Sequence, residues 1–231
     1  MDFIVPFTME LISDEVHNAA MFQPGNMKRM DAQAEDIEYL GKPLTEEKLL
    51  KMQKESPGEI IVWHYYRLPR DQEYLDLSVL YPEGIIASDA MPWISKDNGQ
   101  IMTGKQWPLP DDAFAHPRTA ATFVKFLIDY VRDRKAESLP DAIARCSYRP
   151  AKILESSVPQ MKTKGRLQAG MDADIIVFDM DKLKVRATYT QPNQHTLGLQ
   201  HVLVNGVPVI VGGELDLTAF PGQAVRRPVQ E

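Results

Sequence analysis

The chain has 231 residues, 44% of them apolar and 25% charged, with a formal net charge of −6. That composition suits one large or two small globular domains. The acidic balance argues against a general nucleic-acid binder, no run approaches the ~18 apolar residues of a membrane span, and the single cysteine, Cys146, excludes an internal disulfide and points to the cytoplasm. The start, Met1-Asp2-Phe3-Ile4-Val5-Pro6, lacks the basic region and long apolar core of a secretory signal.

In chain order, Phe3 to Phe7 is a short apolar run that suits a strand end, and Phe22-Gln23-Pro24-Gly25-Asn26 is a turn signal. Residues 45–52 read as a helix, with Thr45 as N-cap and Glu46 and Glu47 in the first turn. Ser56-Pro57-Gly58 stops it. Glu59 to Tyr66 is rich in β-branched and aromatic residues and reads as a buried strand. Asp71 then caps a short helix through Leu80, with Tyr74, Leu75, Leu77 and Leu80 on one face.

Gly84-Ile85-Ile86-Ala87-Ser88-Asp89 follows the turn at Tyr81-Pro82-Glu83. Ile85 to Ala87 is a short apolar run of the kind buried on both faces, and Asp89 comes as it ends. A carboxylate at the carboxyl end of a buried parallel strand is where α/β barrels place chemistry; an Asp capping the next turn is the alternative. Residues 59–91 together read as one βαβ unit with a parallel strand pair.

Residues 94–115 show no periodicity and read as a long loop. The clearest helix runs from Pro117 to about Arg132, with Ala120, Phe123, Val124, Leu127, Ile128 and Val131 on its apolar face. A second helix, Ser138 to Cys146, is capped by Ser138, and a third begins at Pro150. From Gly165 the pattern turns to β structure: Ile175-Ile176-Val177-Phe178 is a strand, and Asn205-Gly206 between two valine-rich runs is a hairpin signal.

These residues resemble a known family. Gly165-Arg166-Leu167-x-x-Gly170-x-x-Ala173-Asp174-Ile175-Ile176-Val177-Phe178-Asp179, with His201-Val202-Leu203-Val204-Asn205-Gly206, is similar to the tail of metal-dependent amidohydrolases. Ala87-Ser88-Asp89, His116-Pro117-Arg118 and Ala187-Thr188-Tyr189-x-x-Pro192 resemble the N-acyl-D-amino-acid deacylase branch, which includes D-aminoacylase and D-glutamate deacylase. The resemblance runs from about Glu59 to the carboxyl terminus. It implies an α/β chain: the C-terminal part of a (β/α)8 TIM-type barrel over residues 1–163, followed by part of a small β-sandwich over 164–231. On that reading Glu59–Tyr66 is the barrel's seventh strand, Ile85–Ala87 its eighth, and Asp89 the general base acting on a metal-bound water. The resemblance also implies a divalent metal, with zinc expected. The family's His-x-His motif does not occur in this chain, so the metal ligands are expected outside it.

The resemblance implies an N-acyl-D-amino acid as the small-molecule partner. His64, Tyr66 and Arg67 at the end of the 59–66 run, with Ser88, His116 and Arg118, are the candidate substrate-binding residues. Arg67 suits a carboxylate by bidentate bonding, with a surface ion pair as the alternative. His64 reads equally as a pocket residue or a structurally satisfied histidine. For His116, anchoring the loop before the helix is the alternative to binding. Two function classes follow: a deacylase completed by a missing N-terminal half, or an inactive fragment or interaction subunit that completes a barrel with a separate N-terminal chain; another amidohydrolase activity, such as dihydroorotase-like ring opening, is a third reading, and the assembly partner is the missing half or a further copy of the chain.

Overall fold

The computed structural model describes residues 7–9, 14–30, 32–39, 42–64, 72–90, 92–103 and 108–227. Strand β1 (Phe7–Met9) is followed by β2 (Asp14–Asn18), a 3-10 turn at Ala19–Phe22 and helix α1 (Pro24–Met30). The turn expected at Phe22–Asn26 is therefore a helix start, with Pro24 where a missing N–H is harmless. Next come β3 (Ile37–Tyr39), β4 (Lys42–Pro43) and α2 (Glu46–Glu55). The α2 cap is the expected one: Thr45 Oγ1 accepts the backbone N–H of Lys48. β5 (Ile60–His64) completes a four-stranded sheet of order β2-β5-β3-β4, antiparallel throughout. This unit has its own core, in which Phe22, Ile37, Leu49 and Ile61 are at most 1% exposed. Burial of each such side chain stabilises by roughly 1.5–3 kcal/mol.

Helix α3 (Gln72–Val79) leads to β6 (Ile85–Ala87). The expected Asp71 cap lies outside the described residues. Val79 is fully buried, whereas Tyr74 and Leu77 are exposed, so the helix buries a narrower face than the sequence suggests. β6 pairs in parallel with β1, Phe7 opposite Ile85 and Met9 opposite Ala87. This corrects the expected βαβ unit: β5 belongs to the antiparallel sheet, and the parallel neighbour of β6 is β1. An apolar run identifies a buried strand but carries little information about its partner. The seventh-strand assignment of Glu59–Tyr66 fails for the same reason. In β6, Ile86 is 2% exposed while Ile85 and Ala87 are half-buried, so only one face is fully covered.

The segment expected to be a loop holds a short antiparallel pair, β7 (Ile94–Ser95) and β8 (Ala113–Phe114). The buried Ser95 hydroxyl donates to Asp112 Oδ2 across its neck. Helix α4 (Arg118–Phe126) continues as π-helix through Leu127–Asp133, and α5 (Leu139–Ile143) likewise through Ala144–Tyr148, running into α6 (Arg149–Leu154). Ser138 caps α5 by accepting the N–H of Asp141. The buried face of α4 is Ala121, Thr122 and Phe126, continued by Tyr130; Ala120 and Phe123 are exposed. The predicted stripe is thus offset from the true one. Phe123, Val124 and Leu127 instead line an open, mostly apolar cavity of about 510 Å³ facing the C-terminal sheet. Phe126 and Tyr130 join Val79, Ile86 and Ala142 in a second core directly behind β6. Arg145, 2% exposed, donates to the carbonyls of Val79 and Gly84 and pairs with Glu137, which fixes the entry to β6.

Beyond residue 165, β9 (Ile175–Phe178), β10 (Leu199–Val204), β11 (Val207–Val211) and β12 (Glu214–Leu215) form an antiparallel sheet in the order β12-β11-β10-β9. Asn205 and Gly206 turn between β10 and β11 with φ of 48° and 79°, the positive pair that the sequence signal requires. The described strands thus make four sheets, none closed into a barrel.

Candidate functional site

Asp89 lies two residues past the end of β6, in the left-handed region at φ 46°, with its side chain 53% exposed. Asp tolerates that backbone better than most residues. The residue that meets it is Arg118, the first of α4. Arg118 Nε donates to the Asp89 carbonyl at 2.9 Å and Nη2 to Asp89 Oδ2 at 2.8 Å. The guanidinium side is nearly buried, with only 10% of the Arg118 side chain exposed. The carboxylate is thus anchored through one oxygen while remaining open to solvent.

His116 is 1% exposed, and its Nδ1 accepts the backbone N–H of Arg118 at 3.1 Å. This satisfies a donor at the start of α4 that has no partner within the helix, and an accepting Nδ1 leaves the ring proton of the neutral imidazole on Nε2. The anchoring reading of His116 therefore has a specific geometric basis. Thr122 Oγ1 donates back to the Arg118 carbonyl, tying the first turn further.

His64 ends β5, with its Nε2 3.3 Å from Glu38 Oε2 on the neighbouring strand. Its ring meets Tyr189 edge-to-face at 5.5 Å, and the other side of this contact group is His116, whose ring lies 5.2 Å from Tyr189 at 86°. Tyr189 was noted in the sequence only as part of a matching motif; no periodicity or charge pattern signals its position between two histidines. Of the candidate residues, Asp89, His116 and Arg118 are in one connected group, Ser88 is half-buried beside Asp89, and His64 joins through Tyr189. Tyr66 and Arg67 lie outside the described residues.

Two cavities lie among the described residues. One is the apolar cavity already described; the other, of about 610 Å³, is lined by Gln72, Lys125, Tyr130, Arg134 and Tyr189 among others, and Asp89 lines neither. Around the second cavity the charges are paired: Arg134 bonds Asp76, and Lys125 bonds Asp129. The Arg134 hydrogen bond holds the Asp76 carboxyl below its usual range against the opposing effect of burial. Burial, with the Asp76 charge, pushes the Tyr130 phenol up to about 12.

The Amidohydrolase family profile matches residues 8–210. The chain belongs to the amidohydrolase family. Among curated relatives, this amidohydrolase chain is 36% identical to an N-acyl-D-glutamate deacylase of Alcaligenes xylosoxydans xylosoxydans over 119 residues, which cover 52% of this chain and 23% of that protein. It is 35% identical to a D-aminoacylase of the same organism over 111 residues, 48% of this chain and 22% of that one. The chain therefore matches less than a quarter of the length of either relative. Among solved structures, the N-acyl-D-glutamate deacylase of Bordetella bronchiseptica, complexed with zinc and a phosphonate inhibitor, matches 96% of this chain and 42% of its own at TM-score 0.59 and 24% identity, a likeness of fold.

Whether this chain's residues would hold a metal is a question of donor geometry. Among the described residues no three His, Cys, Asp or Glu side chains stand close enough to share an ion. Asp89 Oδ2 faces Arg118, His116 Nδ1 receives a backbone N–H, and Cys146 packs against the core behind β6. A cation site needs several converging donors, and the described donors of this chain do not fit one.

Proposed function

We propose that this chain is the C-terminal portion of a hydrolase that cleaves the amide bond of N-acyl-D-amino acids, with N-acyl-D-glutamate the first candidate substrate. Residues 1–163 contribute to its barrel and 164–231 to its β-sandwich. The observation that carries the reading is Asp89: an open carboxylate just past a parallel strand, held by the Arg118 fork. The deacylase relatives support the substrate class. A divalent cation, zinc first, is held by residues outside this chain on this reading.

The chain's own contribution is proton handling. Asp89 takes a proton from the attacking water as its oxygen bonds to the acyl carbon. It returns that proton to the nitrogen as the C–N bond breaks, releasing the free amino acid and the carboxylic acid. Arg118 keeps one carboxylate oxygen fixed so that the other faces the water. Ser88 and His64 border the substrate on this reading; Tyr66 and Arg67, outside the described residues, are proposed for the same role from their chemistry, Arg67 suiting a carboxylate; His116 and Arg118 form the wall behind Asp89.

A second reading is that the chain completes a barrel as a partner without turning over alone. The small share of each relative that it spans favours it. One experiment addresses both. The chain is assayed with N-acetyl-D-glutamate and N-acetyl-L-glutamate, alone and co-expressed with the N-terminal segment of the glutamate deacylase relative. The expected result is D-selective release of glutamate in the co-expressed assembly only. An assembly that forms without hydrolysis leaves the partner reading, and equal turnover of both enantiomers overturns the substrate class.

A further inference from the structure

We propose that Tyr189, from the segment between β9 and β10, is a positioning residue for Asp89, acting through His116 and Arg118. The inference rests on the reading of Asp89 as the proton-handling group, and adds to it a residue far along the chain.

The segment carrying Tyr189 is fixed at several points. Lys184 and Leu197 exchange backbone bonds at its ends, and the Leu183 carbonyl accepts from Arg132 Nη1 at 2.9 Å. At its far turn, Thr188 and Gln191 exchange backbone bonds, the Thr190 carbonyl accepts from Lys96 Nζ, and Asn193 Nδ2 donates to the Pro110 carbonyl. Pro192 is fully buried. Two of these bonds reach the long β7–β8 connection and one reaches the π-helix after α4. The segment thus returns from the C-terminal sheet and docks on the elements around Asp89.

Its ring meets the buried His116 ring at 5.2 Å and the His64 ring at 5.5 Å, nearly perpendicular to both. The His116 ring is oriented so that Nδ1 accepts the Arg118 N–H, and a ring packed edge-to-face against it restricts rotation away from that bond. That bond fixes the first turn of α4, from which the Arg118 side chain reaches the carbonyl and carboxylate of Asp89. The order of action is Tyr189 on His116, His116 on the Arg118 backbone, Arg118 on Asp89. The link this order of action uses is the ring contact between Tyr189 and His116.

The test uses the chain itself. Nitrogen NMR of the His116 ring and of the Arg118 Nε–H reads the contacts directly. In the wild type, His116 is expected as the Nε2–H tautomer, and the Arg118 Nε–H as a resolved signal. Tyr189→Phe keeps both. Tyr189→Leu, which keeps bulk and removes the ring, is expected to shift the Arg118 Nε–H and speed its solvent exchange by about tenfold. In the co-expressed assembly the Leu variant lowers kcat with KM retained, and Phe rescues it. Unchanged Arg118 exchange in the Leu variant overturns the proposal, as does an Nδ1–H tautomer in the wild type. A Leu variant that cannot fold also overturns it, by showing that Tyr189 supports the fold at large. Loss of the proposed activity in the wild-type assembly, with the NMR pattern intact, fails the hydrolase reading alone.

Discussion

The guanidinium of Arg118 spans 29 residues of sequence to grip Asp89 at two points, its backbone carbonyl and its carboxylate. The first bond holds the peptide at its positive φ and the second aims the side chain. Asn keeps the shape and tolerates the same backbone, but cannot take up a proton as a carboxylate does. Asp89→Asn should therefore leave the circular dichroism and melting profile close to wild type. In the co-expressed assembly it should lower turnover about 10²–10⁴-fold, the usual contribution of a general base. Near-normal turnover would remove Asp89 from the chemistry.

Arg118→Lys tests the grip itself. An ammonium cannot reproduce the planar fork, so at least one of the two bonds is lost. Asp89 is half-exposed, and its ion pair is partly screened by solvent. The expected loss is about 1–2 kcal/mol, read from urea unfolding. Loss of less than experimental error would mean that the fork is not needed to hold this turn.

Asp76 on α3 and Tyr130 beside that helix give opposite pH signatures. The Arg134 hydrogen bond depresses the Asp76 carboxyl below its ordinary 3.8. Its stabilising contribution is complete above that value and is lost as pH falls through the lower folded-state value; Asp76→Asn should flatten that part of the acid limb. Tyr130, raised by burial from 10.0 to about 12, acts on the alkaline side. The unfolded chain releases this proton first, so stability declines from about pH 10 until the folded phenol ionises near 12. The difference between wild type and Tyr130→Phe in urea titrations isolates it; a pH-independent difference would contradict the assignment.

Gly198 governs the attachment of the C-terminal sheet. At φ +93° an added Cβ would stand 2.6 Å from the Leu183 nitrogen and 2.7 Å from the Lys182 carbonyl. Both are backbone atoms and cannot swing aside. Gly198→Ala is expected to cost about 2–4 kcal/mol in thermal or urea unfolding, where an alanine at Gly222, with nothing nearby, serves as the neutral control.

Local chemistry carried what was legible in the sequence. Thr45 before two glutamates, Ser138 before Pro140, and Asn205-Gly206 each specify a cap or turn through atoms a few residues apart, and each forms as expected. Asp89 was visible because an apolar run stops just before it. Pairing was not legible, since Ile60–His64 and Ile85–Ala87 look alike as apolar runs yet join different sheets. The α4 face was misread because Phe123 and Val124, apolar in sequence, line an open cavity, while Thr122 is buried. The Tyr189 contact with His64 and His116 depends on three distant segments meeting, which no local pattern encodes.

The pairing of β1 with β6 also sets an order of events in folding. β1 leaves the ribosome well before β6, because its partner lies beyond both the antiparallel unit and α3. At about 5–20 residues per second, β1 waits roughly 4–15 seconds for β6 to be made. In that interval the intervening unit can collapse on its own core, because its strands pair at shorter range. Its collapse shortens the free loop that must close before β1 and β6 meet, and loop entropy rises only logarithmically with what remains. Until then β1 is an unpaired strand in a nascent chain, and the span between its synthesis and that of β6 is the period in which a chaperone or a premature strand partner would find it.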